Sequence, residues 1–271
     1  MNQVMTLQFL EPLQLSYRIE GQGPTLILLP ANPGESRDFD AVAPQLAQRF
    51  RLIRLDWPGY GSSPAPQPPS QAGASYFLER FDAFMDGLGI AGAHLLGNSV
   101  GANVAVRYAL RKPQRVQSLV LVSPGGFTTP NAFTRAFCAL QGRIWFKRLL
   151  GAGFTRWYLR RRNPWTQAMI ARAGGEQAGA DALQVNAAVW RSFLEPQHDL
   201  RIAAGALRTP ALVISGKHDP VLPADTDGRN ATSAIPGARQ VVFDCGHAPF
   251  AEMPEQFLEA VSAFWSAHHV A

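Results

Sequence analysis

Ser99 stands in Gly97-Asn98-Ser99-Val100-Gly101, directly after an apolar run at 93–96 and directly before a segment of helical pattern, Val100–Arg111. A serine in Gly-x-Ser-x-Gly between strand and helix occupies a sharp turn that lifts its hydroxyl clear of the backbone. The glycines let the two elements approach closely enough for that turn to close. A hydroxyl is a poor nucleophile until a base removes its proton, so this chemistry needs a histidine, and a carboxylate to orient that histidine. Two further segments supply them. Asp219 follows the apolar run at 211–215 in Gly216-Lys217-His218-Asp219-Pro220, and His247 follows the run at 240–244 in Cys245-Gly246-His247-Ala248-Pro249. Nucleophile, acid and base come in the chain order Ser, Asp, His, each just after a strand-like run, which is a constellation for acyl transfer through a covalent intermediate.

Other candidates fit less well. His94 is placed at the wrong end of its run and reads as a surface or packing residue, while His218 shares a tight turn with Asp219 and points elsewhere. His198 ends the segment that precedes Asp219, and His268 and His269 lie in the C-terminal tail; none has a triad-like setting. Asp244 is a weaker acid candidate than Asp219, and Asp56, in Asp56-Trp57-Pro58-Gly59-Tyr60-Gly61-Ser62-Ser63, reads as a loop-shaping residue. The oxyanion created by attack on a carbonyl needs two hydrogen-bond donors. The Val100 N–H, at the start of the helix after Ser99, is one. The loop after the run Thr25–Leu29 reads Pro30-Ala31-Asn32-Pro33 and offers the Asn32 N–H as its best donor, because the prolines have none.

These residues cooperate only if their strands are neighbours. Short alternating runs at 6–9 and 13–19 predict a hairpin. The continuous apolar run Thr25–Leu29 predicts a strand buried on both faces, and further strands are expected at Arg51–Leu55, 93–96, 118–122, 211–215 and 240–244. Helical patterns at 36–48, 76–88, Val100–Arg111, 224–231 and Pro254–Ala267 alternate with them. The alternation predicts a mostly parallel, eight-stranded sheet flanked by helices, with every parallel strand's C-terminal end on one edge. Ligands bind at that edge in open α/β sheets. The rhythm breaks after Ser123-Pro124-Gly125-Gly126 and resumes near residue 205. Residues 1–126 and 205–271 are therefore expected to form the core domain and 127–204 an inserted helical cap, with 140–162 as an amphipathic cap helix covering the pocket.

Charge is distributed unevenly. The chain has 271 residues and a net charge of +5, yet 127–195 carries ten Lys or Arg against three Asp or Glu, so this segment is +7 and the remainder −2. A basic cap surface reads as a solvated helix face, or as a docking surface for an anionic acyl carrier or a membrane surface. Nucleic-acid motifs are absent. Cys138 and Cys245 are too few for a disulfide framework and lack metal-type spacing. No cofactor or metal is expected. No run approaches ~18 apolar residues, so no integral membrane segment is expected. The N-terminal residues lack a signal-peptide pattern, which points to the cytoplasm.

Together these segments resemble the α/β-hydrolase superfamily, on Asp56-Trp57-Pro58-Gly59-Tyr60-Gly61, the Ser99 turn, Gly216-Lys217-His218-Asp219-Pro220-Val221-Leu222-Pro223 and Gly246-His247-Ala248-Pro249-Phe250-Ala251-Glu252-Met253-Pro254. The resemblance implies the α/β-hydrolase fold and a serine hydrolase acting on a small acyl substrate. It departs in one place: members usually carry His-Gly where this chain has Pro30-Ala31. Asn32-Pro33 resembles the haloalkane dehalogenases, but these use an aspartate nucleophile where this chain has Ser99, and the same holds against an epoxide hydrolase. Gly97-Asn98-Ser99 resembles the carbon–carbon bond hydrolases of meta-cleavage type, although Ala248 stands where those carry tryptophan. Gly246-His247-Ala248-Pro249-Phe250 resembles the carboxylesterases, including pimeloyl-carrier-protein methyl esterases. Carboxylic ester hydrolysis is the first expectation. The alternatives are carbon–carbon hydrolysis, thioesterase or acyltransferase action on a carrier-linked acyl group, and a non-catalytic ligand-binding protein on the same fold.

Overall fold

The computed structural model describes residues 5–268, so His269 and the first residues of the N-terminal segment lie outside it. One sheet holds eight strands: β1 (Thr6–Leu10), β2 (Leu15–Glu20), β3 (Thr25–Leu29), β4 (Arg51–Leu55), β5 (Ala93–Asn98), β6 (Val116–Val122), β7 (Ala211–Gly216) and β8 (Arg239–Phe243). Their order is β1-β2-β4-β3-β5-β6-β7-β8. β2 is antiparallel to both of its neighbours, and the remaining pairs are parallel. This is the mostly parallel sheet that the alternation of runs predicts.

The continuous apolar runs have a simple cause. Successive side chains of a strand point to opposite faces, and both faces are covered. Leu26 and Leu28 of β3 pack into a layer with Phe39, Phe250 and Trp265, while Ile27 and Leu29 pack into the opposite layer with Phe77, Phe81 and Tyr108. The helices divide accordingly. α1 (Ala43–Leu46) serves the first layer; α2 (Ala74–Gly87) and α3 (Val100–Arg111) serve the second.

Between β6 and β7 come α4 (Ala132–Gln141), α5 (Ile144–Leu150), α6 (Gly153–Tyr158), α7 (Pro164–Gly174) and α8 (Ala180–Ser192). After β7 follow α9 (Arg229–Ala234), α10 (Pro249–Glu252) and α11 (Pro254–Ala267).

Two helical expectations are corrected. The pattern at 36–48 forms a 3-10 turn, Ser36–Phe39, and then the single-turn α1, because Pro44 is tolerated only in the first turn of a helix. The pattern at 140–162 is not one helix. Gly151, at φ 49°, ends α5 in a left-handed conformation, and α6 starts anew at Gly153. Nor does it separate a wet basic face from a buried apolar one: Lys147 is buried, while Trp145, Leu149 and Trp157 are exposed.

Trp265 anchors the first layer far from the C-terminal strand ends. It is fully buried, its ring centroid lies 4.8 Å from that of Phe50, and its Nε1–H donates to Ser118 Oγ at 3.2 Å. Trp265→Ala should therefore cost ~3–5 kcal/mol in urea unfolding; a loss below ~1 kcal/mol would contradict this packing account.

Candidate active site

Ser99 lies between β5 and α3 with φ 56° and ψ −112°. A residue with a side chain adopts this region only where its surroundings impose it. Here they do: the Ser99 N–H donates to Val122 O at 2.9 Å, and the Ser99 carbonyl accepts from the N–H groups of Asn103 and Gly125, both at 3.1 Å. The glycines are sterically required. A Cβ on Gly97 would stand 2.5 Å from Ala102 N, and one on Gly101 would stand 2.2 Å from Leu29 O.

Asp219 and His247 follow β7 and β8 on the same sheet edge. His247 Nδ1 lies 2.7 Å from Asp219 Oδ2, and both side chains are buried. Asp219 Oδ1 accepts the N–H groups of Val221 and Leu222 at 2.9 and 3.1 Å, so the carboxylate cannot swing away. The tautomer that donates Nδ1–H to Asp219 leaves Nε2 free to act as a base. The Tyr158 carbonyl accepts the His247 N–H at 3.0 Å, and the Tyr158 ring meets the imidazole edge-on at 5.2 Å. Ser99, His247, Ala31 and Asn32 all line one cavity of about 390 Å³, whose walls include Phe137, Phe154, Trp190 and Phe193. Ser99 Oγ makes no hydrogen bond among the described residues, so its relation to His247 rests on their shared cavity.

The Pro30-Ala31-Asn32 loop has its own supports. Trp57 Nε1–H donates to Pro30 O at 2.8 Å, and the Tyr60 hydroxyl donates to Asn32 Oδ1 at 2.7 Å. Asn32 Nδ2 reaches Asn186 O on α8 at 3.3 Å. Burial raises the Tyr60 pKa well above its ordinary value, which keeps the phenol a donor. Within the described residues the N–H groups of Val100 and Asn32 donate to no protein acceptor, which leaves both available.

The weaker candidates other than His198 fall outside this cavity. His218 Nε2 pairs with Asp244 Oδ1 at 2.8 Å and Asp244 also meets Arg161, all at the surface. His94 is buried against Ser118. Asp56 holds loops together, accepting from the Ser36 N–H, the Ser62 N–H and the Ser16 hydroxyl. His268 is exposed beside α11.

Two residues of the site carry no clear sequence signal. His198 lines the cavity, stacked on Phe193 at 4.6 Å, and its Nδ1 is buried without a partner among the described residues. Desolvation, aided by Arg107, lowers its pKa to about 3, so the ring is neutral near pH 7. Glu252 is the second. Its buried carboxylate accepts the N–H groups of Gly246 (3.0 Å) and Ala248 (3.2 Å), which flank His247, and those of Arg160 and Arg161, both at 2.8 Å. One side chain thus ties the histidine loop to the segment between α6 and α7.

Residues 24–254 match the family model of the alpha/beta hydrolase fold. This chain belongs to that family. The α/β-hydrolase is 30% identical to the pimeloyl-[acyl-carrier protein] methyl ester esterase of Nitrosomonas europaea over 264 residues, covering 90% of this chain and 96% of the relative. A hydrolase from Pseudomonas aeruginosa superposes with TM-score 0.79 at 27% identity, covering 97% of this chain and 98% of the other. The enol-lactonase of Burkholderia xenovorans superposes equally well, at TM-score 0.79 and 24% identity over 93% and 97% of the two chains, a likeness of fold. The chain is accordingly a hydrolase enzyme.

Two outcomes follow for this α/β-hydrolase. Glu252→Ala strands at least two buried N–H groups, at ~1–3 kcal/mol each, and should lower both stability and turnover; unchanged urea unfolding would show that these bonds contribute nothing. At His198 the unfolded chain binds a proton between pH 6.5 and about 3 while the folded chain does not, so stability falls as pH drops through that window. His198→Gln should flatten the fall in Tm between those limits relative to the parent, and identical Tm profiles would refute the assignment.

Proposed function

We propose that this enzyme hydrolyses carboxylic esters through an acyl-enzyme on Ser99. The observation that carries the reading is the buried Asp219–His247 pair opening into the cavity that Ser99 faces. His247 Nε2 removes the Ser99 proton as Oγ attacks the ester carbonyl. The oxyanion is received by the N–H groups of Val100 and Asn32, worth ~2.7–4 kcal/mol per donor in sites of this kind. The tetrahedral adduct collapses, the C–O bond to the leaving group breaks, and His247 returns its proton to the departing alcohol. Water, deprotonated by the same nitrogen, then releases the acid and restores Ser99.

Choice of bond rests on two supports. The relative at 30% identity is named a methyl ester esterase. Asn98, whose Gly-Asn-Ser setting suggests carbon–carbon hydrolysis, donates Nδ2 to Val122 O at 3.2 Å and His247 O at 3.3 Å, so its amide serves the fold and not a substrate. The cavity wall is mainly apolar and includes Phe137, Phe154, Trp190 and Phe193, which suits an apolar acyl chain of moderate length. The segment between β6 and β7 supplies most of that wall and serves as the cap of residues 127–204. The carrier-linked alternative draws on the relative's name and on the arginines of the cap.

A fluorophosphonate probe should add one label to the wild-type protein by intact mass and none to Ser99→Ala, and p-nitrophenyl ester turnover should fall by a factor on the order of 10⁶ in that variant. Absence of labelling in the wild type favours the non-catalytic ligand-binding alternative; retained turnover in Ser99→Ala refutes the nucleophile.

A further inference from the structure

No Asp or Glu occurs between Asp86 and Glu176, and α4, α5 and α6 fall wholly within that stretch. Several cations elsewhere are matched. On α3 and just beyond it, Arg111 pairs with Glu79 at 2.7 Å, Lys112 with Asp82 at 2.5 Å, and Arg115 with Asp86. On the cap, Arg135, Arg143, Arg148 and Arg156 are exposed and meet no carboxylate among the described residues. Large apolar side chains protrude between them: Phe133 is 77% exposed, Trp145 61%, Leu149 74% and Trp157 51%.

These side chains fall in two groups, one on α5 and one on α4 and α6. Trp145 and Leu149 are four residues apart on α5 and share a face with the turn that carries Arg148. Phe133 packs on Phe137, Phe137 on Phe154, and Phe154 on Trp157, with centroid separations of 6.3, 6.2 and 5.8 Å. Phe137 and Phe154 line the active-site cavity. The exposed rings of Phe133 and Trp157 are therefore continuous with the wall that faces Ser99.

We propose that the cap docks on an anionic lipid surface, inserting Trp145, Leu149, Trp157 and Phe133 while the unpaired arginines meet lipid phosphates. An acidic protein would neutralise the arginines but leave protruding indole and leucine side chains in water; a headgroup layer over acyl chains accepts both. Docking presents the aromatic cavity wall to the interface, where apolar esters concentrate. The proposal rests on the surface rather than on the ester reading.

The test uses full-length protein carrying Ser99→Ala, so that binding and hydrolysis are separated, in co-sedimentation with large vesicles. Equimolar phosphatidylcholine and phosphatidylglycerol should bind the protein, phosphatidylcholine alone should bind it more weakly, and salt should reduce the difference. Arg148→Ala should lower partitioning about fivefold, and Trp145→Ala with Leu149→Ala about tenfold or more. With Ser99 restored, the same variants should turn over soluble p-nitrophenyl acetate at the parental rate. Failure to bind the anionic vesicles, or equal binding by the variants, overturns the proposal. Binding to an acidic acyl-carrier protein without vesicle binding, or a dimer that these substitutions dissolve, assigns the surface to a protein partner and also overturns it. Fluorophosphonate labelling of the wild type is unaffected by any of these outcomes.

Discussion

Where α3 leaves the sheet it touches the end of β3 backbone to backbone. A Cβ on Gly101 would lie 2.2 Å from the Leu29 carbonyl oxygen and 2.7 Å from that of Pro30, so no side chain separates the helix that follows Ser99 from the strand that feeds the Asn32 loop. The sheet register reinforces the contact, since Leu29 pairs with Gly97. Main-chain contact of this kind has no rotamers to relax. Ser99, the Val100 N–H and the start of the Asn32 loop are thereby fixed relative to one another, and the strained backbone of Ser99 is held by the same contact. Every other part of the site is arranged around that rigid unit.

Loops buried at the active edge of the sheet cannot use strand or helix partners for their N–H groups, and an unpaired buried N–H is costly. The chain solves this with carboxylates. Asp56 gathers the loops after β3 and β4, Asp219 caps its own turn through Val221 and Leu222, and Glu252 binds N–H groups on both sides of His247 and from the segment between α6 and α7. Each accepts several directed bonds, so each acts as a geometric brace. The Pro30-Ala31-Asn32 loop is held differently, by donors: Trp57 and Tyr60 bond its Pro30 carbonyl and Asn32 side chain from outside.

The helices between β6 and β7 use aromatic residues in two directions. Phe137, Phe154 and Trp190 close the cavity, while Trp145 and Trp157 face outward among unmatched arginines. Lys147 shows how far this departs from a simple amphipathic helix. Its ammonium is buried over the rings of Trp190 and Phe154, at 4.9 and 5.4 Å, with Gln141 as its hydrogen-bond acceptor, and desolvation lowers its pKa to about 7. A cation so placed binds to ring faces.

The strands, their mostly parallel direction and the serine turn were legible because they depend on local rules. Runs such as Leu26–Leu29 are apolar throughout since both faces are covered, and Gly97 and Gly101 mark a turn that excludes a Cβ. Asp219 and His247 were legible because each follows its strand within a few residues, so the sheet edge dictates where they go. His198 and Glu252 were not. Their roles come from segments far apart in sequence, Phe193 and the cavity for one, Gly246, Ala248, Arg160 and Arg161 for the other, and no local pattern encodes such a meeting. The break of 140–162 into two short helices followed from Gly151, and the burial of Lys147 beside exposed tryptophans from packing between helices, neither of which periodicity encodes. Sequence alone determined which residues could react; tertiary structure decided what holds them and what covers them, because burial and hydrogen-bond satisfaction belong to contacts between elements.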